Sequence, residues 1–344
     1  MKPKISERLK WQRVKNQPPV VSGDLSGKTV CVLGANTGIG FETCKHFANM
    51  NAGRIILACR SEARGQEAVQ RLEQETGYAK GELWIIDLSD FRSVRQFADR
   101  WENDGGRLDI IVANAAMEPG KHVLTKDGWD STVQVNHLST SFVILLLLPR
   151  ILKTARDHGS LSRIVLVSSE LLYDITVEKD ARDKPGNIIR TLASAEYLKD
   201  TRRMRELYSV TKLMNLFFAR ALNAHLGPSA PVIVNAVAPG FCVSELRRDL
   251  SGGFKYMVKV FEYMFALPTE CGSRRLVWAA VGLPNAPDSL RGQYINCCEV
   301  WEPSDFVIGA DGRKCQQDIW IETLAILDKL DPRISEVADT YLAA

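Results

Sequence analysis

A single doubly wound α/β domain built on a parallel sheet is the fold class that this chain of 344 residues predicts. Three observations carry it. Seven short apolar runs recur along the chain, helix-length stretches fill most of the gaps between them, and a glycine-rich turn follows the first run. Strands of a parallel sheet are covered on both faces, so they read as continuous apolar runs.

Taken in order, residues 1 to about 26 form an N-terminal arm. Pro18-Pro19 breaks regular structure there, and Ser26-Gly27 leads into the domain, which takes in residues 27–344 and ends in a C-terminal extension. The first strand is Thr29–Leu33. It runs into Gly34-Ala35-Asn36-Thr37-Gly38-Ile39-Gly40, where Gly34 permits a tight turn, and where Gly38 and Gly40 let backbone approach a pyrophosphate at the start of the next helix. A plain β-to-α turn is the bland use of such glycines; the strand before and the helix after favour a nucleotide site. The second strand, Arg54–Ala58, leads into Cys59-Arg60-Ser61, with Arg64 close behind. No carboxylate stands there to grip ribose hydroxyls or repel a 2′-phosphate, so Arg60 is expected to hold the phosphate of NADP(H) rather than to be a solvated surface arginine. Leu83–Ile86 and Ile110–Val112 are the third and fourth strands, and Ile164–Val167 is the fifth, ending at Ser168-Ser169. Val232–Val237, before Pro239-Gly240, is the sixth, and Tyr294–Ile295 the seventh.

Two long interruptions are expected to serve the substrate. Residues 170–207 are charged and irregular, with Pro185-Gly186 near the middle, and segments of that length in compact domains are functional or disordered. Residues 241–267 carry Phe254, Tyr256, Met257, Val260, Phe261, Met264 and Phe265 at near-helical spacing. This stripe either packs in the core or against a second copy in a homo-oligomer, or it walls an apolar pocket.

The overall composition excludes several classes. A net charge of +3 is too small to imply a nucleic-acid partner. Eight cysteines are scattered without Cys-x-x-Cys spacing, and His46, His122, His137, His158 and His225 show no ligand spacing, so neither a disulfide framework nor a metal site is expected. A reducing cytoplasm is the simplest location. Residues 1–15 are basic and lack a signal-peptide core, and the longest apolar run, Phe142 to Leu148, falls short of a membrane span.

The chemistry is carried by Tyr208-Ser-Val-Thr-Lys212 in a helical stretch. A spacing of four puts the phenol and the ammonium on one helix face. There the positive charge stabilises phenolate and makes the tyrosine a usable acid near neutral pH.

With Asp87-Leu-Ser, Ala113-Asn114-Ala115-Ala116, Val135-Asn136-His and the motifs above, in this order, the chain resembles the short-chain dehydrogenase/reductase family over roughly residues 28–300. Leu57-Ala-Cys-Arg60 and Val135-Asn-His-Leu are similar to its retinol-dehydrogenase-like branch. The arm and Glu299-Val-Trp-Glu-Pro-Ser-Asp305 are similar to fungal secondary-metabolite members. The resemblance implies a Rossmann domain with Asp87 facing adenine and with Asn114 and Ala115 lining the cofactor. It further implies that Pro239, Gly240 and the backbone near Cys242 and Ser244 close over the nicotinamide. It implies a tetrad in which Tyr208 is the acid and Ser169 holds the carbonyl oxygen, with Ser168 its rival. Lys212 then lowers the tyrosine pKa and holds the nicotinamide ribose, and Asn136 anchors a water leading from Lys212 to solvent. Leu33, Ala116 and Ser244 depart from the family pattern of Thr, Gly and Thr, and the first two bear on cofactor affinity more than on chemistry.

The expectation is therefore an NADP-dependent ketoreductase or alcohol dehydrogenase acting on a sizeable apolar, polyketide-like small molecule. Two other classes fit the same residues less fully: a redox-neutral cyclase or isomerase with a structural nucleotide, and a nucleotide-sensing binding protein.

Overall fold

The computed structural model describes Lys10, Gln12, Arg13 and residues 16–243 and 265–342. One sheet organises them. Its strands are β1 (Thr29–Leu33), β2 (Arg54–Cys59), β3 (Gly81–Ile85), β4 (Ile110–Ala113), β5 (Ser162–Val167), β6 (Val232–Ala238), β7 (Tyr294–Asn296) and β8 (Glu299–Trp301), in the spatial order β3-β2-β1-β4-β5-β6-β7-β8. All neighbours pair in parallel except the last two, which are antiparallel.

The main helices are α1 (Gly38–Asn49), α2 (Glu62–Thr76), α3 (Phe91–Asp104), α4 (Ser131–Asp157), α5 (Thr201–Leu226), α6 (Thr269–Val281), α7 (Ala310–Asp328) and α8 (Arg333–Tyr341). Alternate strand residues point to opposite faces, and both faces are covered. Val30 and Val32 of β1 pack with Phe41 and Phe47 of α1, Leu72 of α2 and Leu276 of α6. Cys31 and Leu33 face Phe97 of α3, Phe142 and Leu145 of α4 and Phe217 of α5.

By length and composition α4 is apolar enough to cross a membrane, which a reading limited to Phe142–Leu148 does not register, yet 89% of its most apolar window is buried in the fold. It is the central helix of one face of the core. A π turn at Gln134–Leu138 interrupts it, an irregularity that often marks a functional site.

Among the described residues the sheet has eight strands where seven were expected. The extra one, β8, follows a hairpin turn at Cys297 and Cys298, both in the left-handed region at φ 52° and 59°. That is the geometry tight hairpins use, but it is ordinarily signalled by Asn or Gly, so Cys-Cys gave no warning. The segment 170–207, expected to be irregular, winds into short helices at Glu170–Tyr173, Lys179–Arg182, Ile188–Leu192 and Ala195–Leu198. The C-terminal extension holds it in place. The buried Glu322 carboxylate of α7 accepts hydrogen bonds from the backbone amides of Ile189 (3.0 Å) and Arg190 (3.2 Å) at the start of the Ile188–Leu192 helix. Charge-assisted capping of this kind can replace local propensity.

Candidate active site

The sheet order reverses between β1 and β4, and in doubly wound sheets the region beyond the C-terminal ends of the strands at that reversal is where ligands bind. The glycine turn lies there. Gly34 has φ +77°, and a Cβ on it would lie 2.9 Å from the Ala115 Cα; a Cβ on Gly40 would lie 2.2 Å from the Gly34 carbonyl oxygen and 2.6 Å from Asn114 Nδ2. Asn114 donates to the carbonyl oxygens of Gly34 (3.0 Å) and Leu33 (3.4 Å), so it locks the turn without a side-chain hydroxyl at position 33. Thr37, the residue before α1, is extended, its side chain caps no amide, and the first turn of α1 carries no acid. An uncapped helix start behind backbone that no Cβ can fill fits a dinucleotide pyrophosphate.

Arg60, the first residue beyond β2, is exposed and points to no described partner, and Ser61 after it caps α2. Asp87 follows β3 in a tight turn in which its carboxylate accepts from the amide (2.9 Å) and hydroxyl (2.6 Å) of Ser89.

Tyr208 and Lys212 share a face of α5, with Lys212 Nζ 5.7 Å from the phenol ring centroid. Lys212 is buried and donates to the Val167 carbonyl at 2.9 Å, and loss of solvent pushes its pKa down to about 7. The two serines separate cleanly. Ser168 is buried and its hydroxyl donates to the Lys212 carbonyl (2.8 Å), whereas the half-buried Ser169 accepts from the Leu171 amide (3.2 Å), a bond that leaves its own hydrogen available for donation. The Ser169 main chain is pinned from beneath by the Tyr294 hydroxyl, 3.3 Å from its carbonyl.

Asn136 lies on the π turn, fully buried. Its Oδ1 accepts from the Met117 amide (2.8 Å), and its Nδ2 donates to the Met117 carbonyl (3.0 Å) and to Thr211 Oγ1 (3.0 Å). Thr211 in turn donates to the Tyr208 carbonyl at 2.7 Å. The amide is thus engaged by protein at both ends, and it braces the β4 loop against the turn of α5 that carries Tyr208.

A third wall follows β6. Gly240 has φ +81°, and Cys242 lies beside Leu267 in an isolated parallel bridge, closed by hydrogen bonds from the Leu267 amide to the Phe241 carbonyl (2.8 Å) and from the Val243 amide to the Leu267 carbonyl (3.0 Å). Ser244 and the stripe residues from Phe254 to Met264 lie outside the described residues. Burial pushes the Cys242 thiol up to about 12, so it is no thiolate near neutral pH.

The short chain dehydrogenase family pattern matches residues 28–179. A short chain dehydrogenase/reductase of Cryptosporiopsis is 33% identical over 325 residues, 92% of this chain and 95% of the relative. This chain belongs to the short-chain dehydrogenase/reductase family. Solved structures agree on the fold: a Mycobacterium paratuberculosis protein superposes with TM-score 0.64 at 21% identity, covering 90% of this chain and 98% of its own. The L-sorbose reductase of Gluconobacter frateurii, solved with NADPH and L-sorbose, gives 0.55 at 19%, covering 80% and 97%.

Within this short-chain dehydrogenase/reductase the structure packs Gly34, Asn114 and Ala115 against one another, and places Ser169 just past β5, with Lys212 of α5 bonded to the Val167 and Ser168 that precede it and Tyr208 one turn earlier on the same helix. Sequence reasoning missed Thr211, which sits inside the Tyr208–Lys212 motif, and Tyr294, which was read only as strand. It also missed Arg275, a fully buried arginine on α6 for which no local pattern exists.

Proposed function

We propose that the chain is an NADP(H)-dependent carbonyl reductase or alcohol dehydrogenase of the retinol-dehydrogenase-like branch, acting in the cytoplasm on a sizeable apolar, polyketide-like secondary metabolite. The observation that carries the reading is the division of labour between the serines: Ser168 is spent on the Lys212 backbone, and Ser169 is left with a donor beside the Tyr208 and Lys212 face. A bound nicotinamide would supply the hydride. The glycine turn and the start of α1 would hold the pyrophosphate, Arg60 the 2′-phosphate, and Asp87, Asn114, Ala115, Pro239 and Gly240 the remaining edges. Ser169 would donate to the substrate oxygen as negative charge develops there, and Tyr208 would deliver the proton. Lys212 would hold the ribose and replenish the proton. The Asn136 side chain braces the site, so a water on the path to solvent falls to the backbone of the π turn.

The test of the reaction class is NADPH oxidation by the purified chain across a panel of carbonyl compounds. Turnover of bulky apolar ketones with poor use of small aldehydes supports the reading, since small compounds forfeit remote binding energy. No oxidation with any member, alongside tight NADPH binding, would point to a redox-neutral or sensing role.

Two substitutions sharpen it. Ser169→Ala is expected to lower turnover about 10²–10³-fold, as for loss of one oxyanion donor, while Ser168→Ala costs stability by about 1 kcal/mol and turnover much less. Equal effects on turnover would reverse the assignment. Arg60→Asp is expected to weaken NADPH by roughly 1.5–3 kcal/mol relative to NADH, measured by fluorescence titration. An unchanged affinity ratio would place the 2′-phosphate elsewhere.

A further inference from the structure

We infer that Arg275 is a positioning residue that ties the Ser169 corner to the Gly240 turn, with the N-terminal arm as part of the tie. The inference rests on the function proposed above. Arg275 is fully buried on α6, and its Nη1 donates to Glu170 Oε1 (3.3 Å) and Asn296 Oδ1 (2.9 Å) while Nη2 donates to Gln17 Oε1 (2.9 Å). These partners come from three separate places outside α6: the residue after Ser169, the end of β7, and the arm.

The backbone of Gly240 lies flat against the same guanidinium. A Cβ there would come 2.8 Å from Nη1, 3.1 Å from Cζ and 3.2 Å from Nη2. One helical turn earlier, Gly272 approaches the same loop, and a Cβ on it would lie 2.6 Å from Cys242 Sγ and 3.4 Å from Ile39 Cδ1 of α1. Positions 272 and 275 fall on one face of α6. That face therefore touches the glycine-turn helix, the turn after β6 and, through Glu170, the corner that presents Ser169. The arm is held twice, by Arg275 on Gln17 and by Arg274, which donates to the Pro18 carbonyl at 3.0 Å.

A buried guanidinium is costly unless it is paired, and its rigid fork fixes the direction of every group it binds. Three loops locked to one planar group keep their relative positions. Because a misplacement of about 1 Å can cost roughly 10²-fold in rate, a residue that touches neither substrate nor nucleotide can still set turnover.

The experiment compares the full chain with Glu170→Ala, Glu170→Gln and Gln17→Ala, using NADPH and phenanthrenequinone as a bulky carbonyl probe. Glu170→Ala is expected to lower kcat about 10–100-fold with KM and the NADPH Kd within about twofold. Glu170→Gln, which keeps an oxygen for Arg275, is expected to recover more than half of the parental kcat. Parental kcat in a folded Glu170→Ala, a loss confined to KM, or an equal loss in Glu170→Gln would each overturn the proposal. Should Glu170→Ala fail to fold, or should the parent reduce no carbonyl, hydrogen exchange decides. Gln17→Ala, far away in sequence, is expected to speed exchange of the amides in residues 168–173 and 240–242, and unchanged exchange there overturns the tie. Failure of the parent to turn over the probe bears on the proposed reaction; failure of the exchange response bears on the tie alone.

Discussion

Tyr208→Phe is expected to lower turnover by about 10²–10⁴-fold, the usual worth of a positioned acid, with the fold and NADPH affinity retained. The change removes one oxygen from a half-buried ring. The backbone of that helical turn is held independently of the phenol oxygen, through Thr211 on the Tyr208 carbonyl and Asn136 on Thr211. Steady-state NADPH oxidation with an accepted ketone, beside a fluorescence titration of NADPH, measures both quantities. Turnover near the parental value would remove the phenol from the chemistry and leave the redox-neutral and sensing readings in possession of the site.

Lys212→Met is expected to abolish turnover and yet stabilise the nucleotide-free protein at neutral pH. The ammonium is buried with a carbonyl for a partner, 2.9 Å away, and desolvation brings its pKa down to about 7. An unfolded lysine keeps its proton up to about 10.4. Between those values the unfolded state binds more protons than the folded one, so this group makes stability rise with pH across that window; its cost is full below about 7 and gone above about 10.4. Methionine carries no such cost. At pH 7 the gain should be on the order of 1–4 kcal/mol, after allowing for the lost hydrogen bond. Buried cysteines and tyrosines titrate the other way at high pH, so the quantity to follow is the difference between the two proteins in urea unfolding at pH 7 and pH 9. That difference should shrink as pH rises; a constant difference, or a less stable Lys212→Met, would mean that the lysine is not held against its charge.

Much of this site is readable without coordinates because its parts are local. The glycine turn needs positive φ and close backbone approach within seven residues, and Tyr208 and Lys212 need only four residues of helix. Strand positions show for a similar reason, since burial on both faces leaves continuous apolar runs. Prediction failed where the deciding partner is distant in the chain. Segment 170–207 looked irregular because its own residues give weak helix signals, and the carboxylate that caps its Ile188–Leu192 helix arrives from Glu322. β8 was missed for a local reason instead: two cysteines occupy a turn that glycine or asparagine normally announces. The Asn136 amide bridges Met117 and Thr211, 19 and 75 residues away, partners that its own motif does not name.

The sequence by itself determined a doubly wound sheet, a glycine-rich turn after the first strand, and a tyrosine and lysine sharing one helix face, because each follows from spacing, periodicity or glycine content within a short window. Only the tertiary structure decided which serine is free to donate and how far the lysine is stripped of solvent. It alone brought Arg275 of α6 to Glu170, Gln17 and Gly240. The physical reason is the same for all three. Burial and hydrogen-bond saturation are properties of what surrounds a group, and these surroundings are assembled from residues that lie dozens to hundreds of positions apart.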